Sequence, residues 1–379
     1  MMSQRSKHEL AQELQARYLK ATRLQKTQIL NEFVANTGYH RKHAIRLLKR
    51  GRFQRAGKRR GRRPQYRGEV VISLQAIWEI SGRICSLRLR PFLPELVEAL
   101  ERHGELTLRP EIKTQLLQMS RATIDRCLQP VRFEKRKGLS TTKPGSLLKR
   151  QIPVRTFADW DDAQPGFMEV DLVAHCGDSA SGQFLNTLAC TDIATGWTEC
   201  LAVLYRSQKK VFAAIRQLRQ RLPFALLGLD SDNGSEFIND LLLGYCRQEQ
   251  ITFTRSRPYK KNDQAHVEQK NWSVVRRTVG YDRLEGEQEY QLLQSIYDDL
   301  RLYVNFFQPV VKLISKQRLG DKTIKHYDEA QTPYRRVCAS QQVPLEVKAR
   351  LARQYLTLNP TQLKRSIDEK VAKLWKLSR

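Results

Sequence analysis

At 379 residues the chain is too long for one compact core, and with 40% hydrophobic and 28% charged residues it has the balance of a folded protein. Lysine and arginine number 67 against 39 acids, a formal charge of +28, which demands a polyanionic partner: nucleic acid or an anionic membrane surface. No apolar run nears the roughly 20 residues of a spanning helix, MMSQRSKHEL has no apolar leader, and the seven cysteines form no CxxC pair, so a membrane span, a secretory signal and a disulfide or cysteine-rich zinc scaffold are excluded in favour of a reduced cytoplasm.

The charge is uneven. Residues 1–150 hold 34 basic and 12 acidic side chains, whereas residues 166–282 hold 14 and 13. Within 8–36, Leu10, Leu14 and Tyr18, then Leu24, Ile29, Leu30, Phe33 and Val34, recur at helical spacing and predict two helices. Thr37-Gly38-Tyr39 reads as a turn, and His40 to Arg50 as a helix with Ala44, Ile45 and Leu48 inward. Its outward residues Arg41, Lys42, Arg46, Lys49 and Arg50 suit the recognition helix of a helix-turn-helix. From Arg41 to Arg67 there are 13 basic residues and no acid. The centre of this run, with Arg59, Arg60, Arg62 and Arg63 among glycines and Pro64, resembles an AT-hook arm, though Arg63 interrupts the Arg-Gly-Arg-Pro core. Val70 to Ile80, Phe92 to His103, Pro110 to Gln118 and Arg121 to Leu128, the last capped by Ser120, read as a second helix-turn-helix unit, with Arg121 as a DNA contact.

From Gly166 the composition changes. Phe167 to His175, Leu185 to Ile193 and Trp197 to Leu204 predict three strands joined by short turns. Ser207 to Arg221 reads as a helix, Phe224 to Leu229 as a buried strand, Ser235 to Gln248 as a helix, Ile251 to Arg255 as a fifth strand and Asp263 to Val279 as a helix. An antiparallel meander followed by alternating strands and helices describes an RNase H-like α/β domain.

Three acids fall where such a sheet would gather them. Asp171 is mid-strand, Asp232 follows the fourth strand in SDNGSEF, and Glu268 sits early in the helix after RPYKKND. Sixty residues separate the first two and 35 the last two. Two Mg²⁺ ions about 4 Å apart need hard oxygen ligands of this kind for an in-line phosphoryl displacement, and carboxylates crowded into one cleft imply a cation. Glu169 shares a pleat face with Asp171 and is a competing ligand, as are Asp178, Asp230 and Glu236 nearby. Lys260, Lys261, Lys270, Arg276 and Arg277 flank the Glu268 helix as phosphate contacts, and Trp272 reads as core. His40 and His43 have metal-like spacing, but without a cysteine pair no zinc is expected.

These motifs, with the Asn305 to Pro309 (NFFQP) and Thr332 to Arg336 (TPYRR) segments, resemble the DDE integrase-core superfamily of retroviral integrases and bacterial insertion-sequence transposases, over roughly residues 155–340. The resemblance implies a magnesium-dependent transposase, with Mn²⁺ able to substitute, in which Asp171, Asp232 and Glu268 are catalytic metal ligands. It implies hydrolysis at the element's terminal inverted repeats, joining of the freed 3′-OH to target DNA, a homo-oligomer of at least two copies on paired ends, and a bacterial nucleoid location. The rival readings are a helix-turn-helix regulator with an inert core and a structure-selective nuclease.

The C-terminal part reads as an amphipathic helix from Tyr290 to Phe307, a basic loop from Lys312 to Lys325, and helices over Pro344–Tyr355 and Pro360–Trp375. The expected organisation is therefore a helix-turn-helix domain at 1–52, a basic linker at 53–68, a second helix-turn-helix domain at 69–131 and a basic linker at 132–160. An RNase H-like catalytic domain at 161–310 and a mostly helical region at 311–379 complete it.

Overall fold

The computed structural model describes residues 2–50, 65–132, 164–256, 264–319 and 322–378. Arg59, Arg60, Arg62 and Arg63 of the arm, Lys260 and Lys261, and nearly all of the 132–160 linker lie outside the described residues. The chain divides into two compact units, Met1–Gln65 and Tyr66–Arg379. Among the described residues no helix is long and apolar enough to cross a membrane, and the seven cysteines are free thiols.

The first unit is three helices, α1 (Gln4–Lys20), α2 (Arg23–Thr37) and α3 (Arg41–Arg50). Its small core joins Ala11, Tyr18, Ile29, Leu30, Phe33, Ala44 and Leu48. Gly38 ends α2 in the left-handed region at φ 67°, and its N–H returns to the Val34 carbonyl at 2.8 Å, a conformation that favours glycine. Lys42, Arg46, Lys49 and Arg50 are exposed on α3, while Arg41 bonds Asn31 on α2.

The second unit opens with α4 (Glu69–Ile80), α5 (Ser86–Arg102), α6 (Pro110–Gln118) and α7 (Arg121–Leu128). Ser120 caps α7 by accepting the Thr123 N–H at 3.3 Å, and Arg121 stands exposed at its first turn. Then come β1 (Phe167–Ala174), β2 (Leu185–Asp192), β3 (Thr198–Leu204), α8 (Gln208–Arg221), β4 (Gly228–Ser231), α9 (Asp240–Gln248) and β5 (Thr252–Arg255). The helix predicted over 263–279 is α10 (Ala265–Lys270), a π-helical stretch Asn271–Arg276 and α11 (Arg277–Val279). After α12 (Glu287–Phe307), the segment expected to be a basic loop is instead a hairpin of β6 (Leu313–Leu319) and β7 (Lys322–Tyr327). It is followed by α13 (Pro333–Ala339), α14 (Leu345–Thr357) and α15 (Pro360–Leu377). The hairpin escapes a pattern search because its charges and apolar residues share both faces, leaving Ile314 and Ile324 exposed.

The central sheet has the order β3-β2-β1-β4-β5, with β1, β2 and β3 antiparallel and β4 and β5 parallel to β1. β2 lies inside, and all eight of its residues are buried. Helix α12 closes the outer edge at β3. Asn305 Oδ1 accepts the Thr198 N–H and its Nδ2 donates to the Thr198 carbonyl, both at 2.8 Å, and Gln294 accepts the Ala202 N–H at 3.1 Å. The NFFQP asparagine thus stands in for a sixth strand. β4 begins four residues later than the apolar run 224–229 suggests, because register with Phe167–Val170 selects Gly228–Ser231. Likewise α9 starts at Asp240, not Ser235, with the Asn239 side chain accepting the Leu242 N–H at 2.9 Å.

Candidate active site

Alternation along β1 puts Glu169 and Asp171 on one face of the sheet, and α10 lies against β1 and β2. Glu169, 1% exposed, aims its carboxylate at the start of that helix, where Oε2 accepts the His266 and Val267 N–H groups at 2.9 and 3.0 Å. Backbone N–H groups in the first turn of a helix have no intrahelical partner and attract an anion, so Glu169 serves as the anchor of α10 rather than as a free ligand. Asp230, the next competitor, is equally committed: fully buried in β4, it accepts the Thr254 hydroxyl at 2.6 Å, and Gln264, just before α10, donates to its carbonyl at 3.2 Å.

Asp171 keeps a half-buried carboxylate. Oδ1 accepts the Leu172 N–H at 2.7 Å and Oδ2 accepts Asn271 Nδ2 at 2.6 Å. Asp232 lies just beyond β4, in a turn where its Oδ1 accepts the Gly234 N–H at 2.8 Å. Asn233 holds the turn to the neighbouring strand by donating to the Ser256 carbonyl at 3.0 Å. Gly234 is required by space: a Cβ there would come within 2.5 Å of Glu236 Oε1 and 2.8 Å of Asp232 Oδ1. The Asp232 and Glu236 carboxylates therefore approach that glycine together.

Glu236 is 4% exposed; Arg206 meets its Oε1 at 2.6 Å, and its buried Oε2 has no hydrogen-bond partner. The three carboxylates feel one another. Burial, then the charge of Asp171, pushes the Asp232 carboxyl up to about 7, with the Gly234 N–H and Arg206 opposing. Burial also raises Asp171, against the Leu172 and Asn271 hydrogen bonds, and Glu236 adds to the rise.

Of the acids predicted from sequence, Asp171 and Asp232 share one cleft. Glu268 is exposed on α10, three residues before the Asn271 that bonds Asp171. Among the described residues no three of histidine, cysteine, aspartate and glutamate stand close enough to hold one metal ion. Asn271 was missed, although its i+3 spacing from Glu268 on a helix was visible. Arg206 lies far away in sequence and gave no signal. Trp272, expected in the core, is instead 62% exposed. The π-helical stretch widens the turn there and shifts residues around the axis relative to an α-helical wheel.

The flanking cations are distributed differently. Arg276 is directed inward, donating to the Ala174 carbonyl at 2.7 Å and lying over the Tyr281 ring at 4.8 Å. Arg277 donates to the Gly82 carbonyl, and Lys270 is 7% exposed. His175 is buried, with Nε2 at 2.7 Å from the Thr187 hydroxyl, and burial drops it to about 3, so it stays neutral. Asp178 lies in the loop after β1 and is exposed.

The sheet order, a meander extended by two parallel strands, with acids at β1 and just past β4, defines an α/β core resembling the RNase H-like fold. The chain belongs to the family of a Sinorhizobium fredii (strain NBRC 101917 / NGR234) protein described as "Uncharacterized protein y4rM", to which it is 47% identical over 337 residues, 88% of this chain and 96% of that protein. No protein-family model matches. Solved structures with some likeness include the catalytic core domain of BIV integrase (20% identity, 45% of this chain and 91% of that one, TM-score 0.31). Another is the HTLV-2 integrase catalytic core domain in complex with magnesium (13% identity, 40% and 93%, TM-score 0.30). A likeness this distant says nothing about activity.

Proposed function

We propose that the chain is a divalent-cation-dependent DNA transposase that cleaves a phosphodiester at an element's end and transfers the freed 3′-OH to target DNA. The observation that carries this reading is the pairing of Asp171, from β1, with Asp232, from the loop after β4, in one half-buried cleft where the charge of Asp171 raises the Asp232 carboxyl and that of Glu236 raises both. The donor set fits a hard cation: all-oxygen, like-charged, and accompanied by the unpartnered Oε2 of Glu236. Asp171 and Asp232 would hold the ion, and Glu268 would join them from α10. When bound, Mg²⁺ or Mn²⁺ would supply Lewis-acid polarisation of the scissile phosphate. Asn271 orients the outer oxygen of Asp171, the Gly234 N–H fixes Asp232, and Arg206 limits the charge that the cleft accumulates without a cation.

The partner in this reading is double-stranded DNA, bound by the exposed cations of α3 and by Arg121 on α7, with two or more copies pairing two ends. The test uses labelled duplexes carrying candidate terminal repeats, with Mg²⁺ or Mn²⁺. The wild type should nick them, and Asp232→Asn should lose about 10³-fold or more in rate with DNA binding retained. Equal nicking by both proteins would refute the assignment. A binding-only regulator is the second reading, favoured by the lack of three convergent ligands among the described residues; DNA binding with no nicking in either protein would establish it.

Trp272 adds an exposed indole four residues beyond Glu268. As a stacking surface for an unpaired base beside the cleft, its loss in Trp272→Ala should weaken binding of a frayed or single-stranded end by about 1–3 kcal/mol and leave blunt-duplex binding unchanged, measured by fluorescence anisotropy.

A further inference from the structure

Behind α10, a second surface is shaped for a ligand. Lys270, Ser273, Val274, Arg277 and Thr278 line a cavity of about 1170 Å³ whose other walls come from α4, α5, α12 and α15. Seven cationic side chains and four acids face it. Each acid is answered by a base: Glu79 by Arg83 at 3.0 Å, Asp125 by Arg132 at 2.5 Å, Glu105 by Arg365 at 3.7 Å, and Asp368 by Lys364.

Three cations remain: Lys270, Arg88 and Arg277. Among the described residues Arg88 reaches only the Pro309 carbonyl, at 3.5 Å, and Arg277 donates to the carbonyls of Gly82 and Arg83. Carbonyl oxygens solvate a guanidinium without neutralising it. Lys270 is 7% exposed and has no carboxylate beside it among the described residues. The cations oppose one another: burial, then Arg88 and Arg83, lower Arg277. The neighbouring Cys200 thiol, pushed up to about 12 by burial, is neutral and supplies no counter-charge. Lys270 is withdrawn from water, Arg88 partly so, and Arg277 stands at the open rim; like charges gathered this way without a counter-charge are unfavourable unless an anion enters.

We propose that this cavity is an anion site whose ligand is a phosphate group gripped by Lys270, Arg88 and Arg277. Two guanidinium forks and an ammonium match the several oxygens and near-double charge of a phosphate better than a single carboxylate. The source is either free phosphate or a backbone phosphate of a nucleic-acid strand. The site stands apart from the strand-transfer reading, since phosphate binding there involves neither Asp171 nor Asp232.

The test is thermal unfolding of the full chain at constant ionic strength, with phosphate exchanged for chloride. Phosphate should raise the wild-type midpoint by roughly 2–4 °C. Lys270→Met should unfold at a higher temperature than wild type in chloride, because the unpaired charge is gone, and should show about tenfold weaker phosphate response. Arg88→Gln, on the opposite wall, should weaken the response in the same way and guards against a folding defect in the first variant. A ten-nucleotide single strand that stabilises the wild type in competition with phosphate identifies a backbone phosphate; stabilisation by phosphate alone identifies the free anion. A phosphate response preserved in both variants would place the binding on the general basic surface and overturn the proposal, as would no response in the wild type.

Discussion

Glu169→Ala should lower folding stability by about 2–4 kcal/mol, because it removes a buried charged acceptor and leaves two helix N–H groups without partners. The same change should reduce nicking in the proposed reaction more than the unfolded fraction explains, since Glu169 is what seats α10, and α10 carries Glu268 and leads directly into the Asn271 that holds Asp171. Glu169→Gln keeps one acceptor oxygen and should recover part of the loss. Urea unfolding gives the stability, and nicking measured well below the midpoint gives the activity. A stability change under about 0.5 kcal/mol for the alanine variant would mean the helix is held by its apolar face alone.

The second large effect concerns pH. The Asp232 carboxyl stands at about 7 in the fold, against the usual aspartate value near 3.8. Below that lower value both folded and unfolded chains are protonated there. Between the two values the unfolded chain loses its proton first, so the fold binds more protons and stability falls as pH rises, levelling off above about 7. In EDTA, therefore, the wild type should lose on the order of 2–4 kcal/mol between pH 4 and 7.5 from this group, and Asp232→Asn should not. Adding Mg²⁺ at pH 7.5 should restore the wild type and leave the variant unchanged. Parallel pH profiles for the two proteins in EDTA would show that the carboxylates do not strain each other.

Where local chemistry decides the outcome, the sequence was readable. The three strands of the meander, the Ser120 cap and the glycine after α2 lie where their patterns indicate, because period-two apolar runs, hydroxyl caps and left-handed turns are set by neighbouring residues. The carboxylate pair was readable through the strand beneath Asp171 and the turn at Asp232. Asp171 and Glu169 share a face and an identical charge, and only the position of α10 makes Glu169 the helix anchor. Arg206 and Glu236 meet across 30 residues, a pairing no spacing rule foretells. The exposure of Trp272 follows from a widened helical turn, which apolar periodicity does not register.

The sealing of β3 by α12 also bears on how copies of this chain could associate. Asn305 and Gln294 occupy outward amides of that strand, so a neighbouring molecule cannot extend the sheet there by adding a strand of its own. A union through the central sheet would have to form at its opposite border, along β5, next to the Asp232 turn. Two copies joined in that manner would bring their clefts close to the seam.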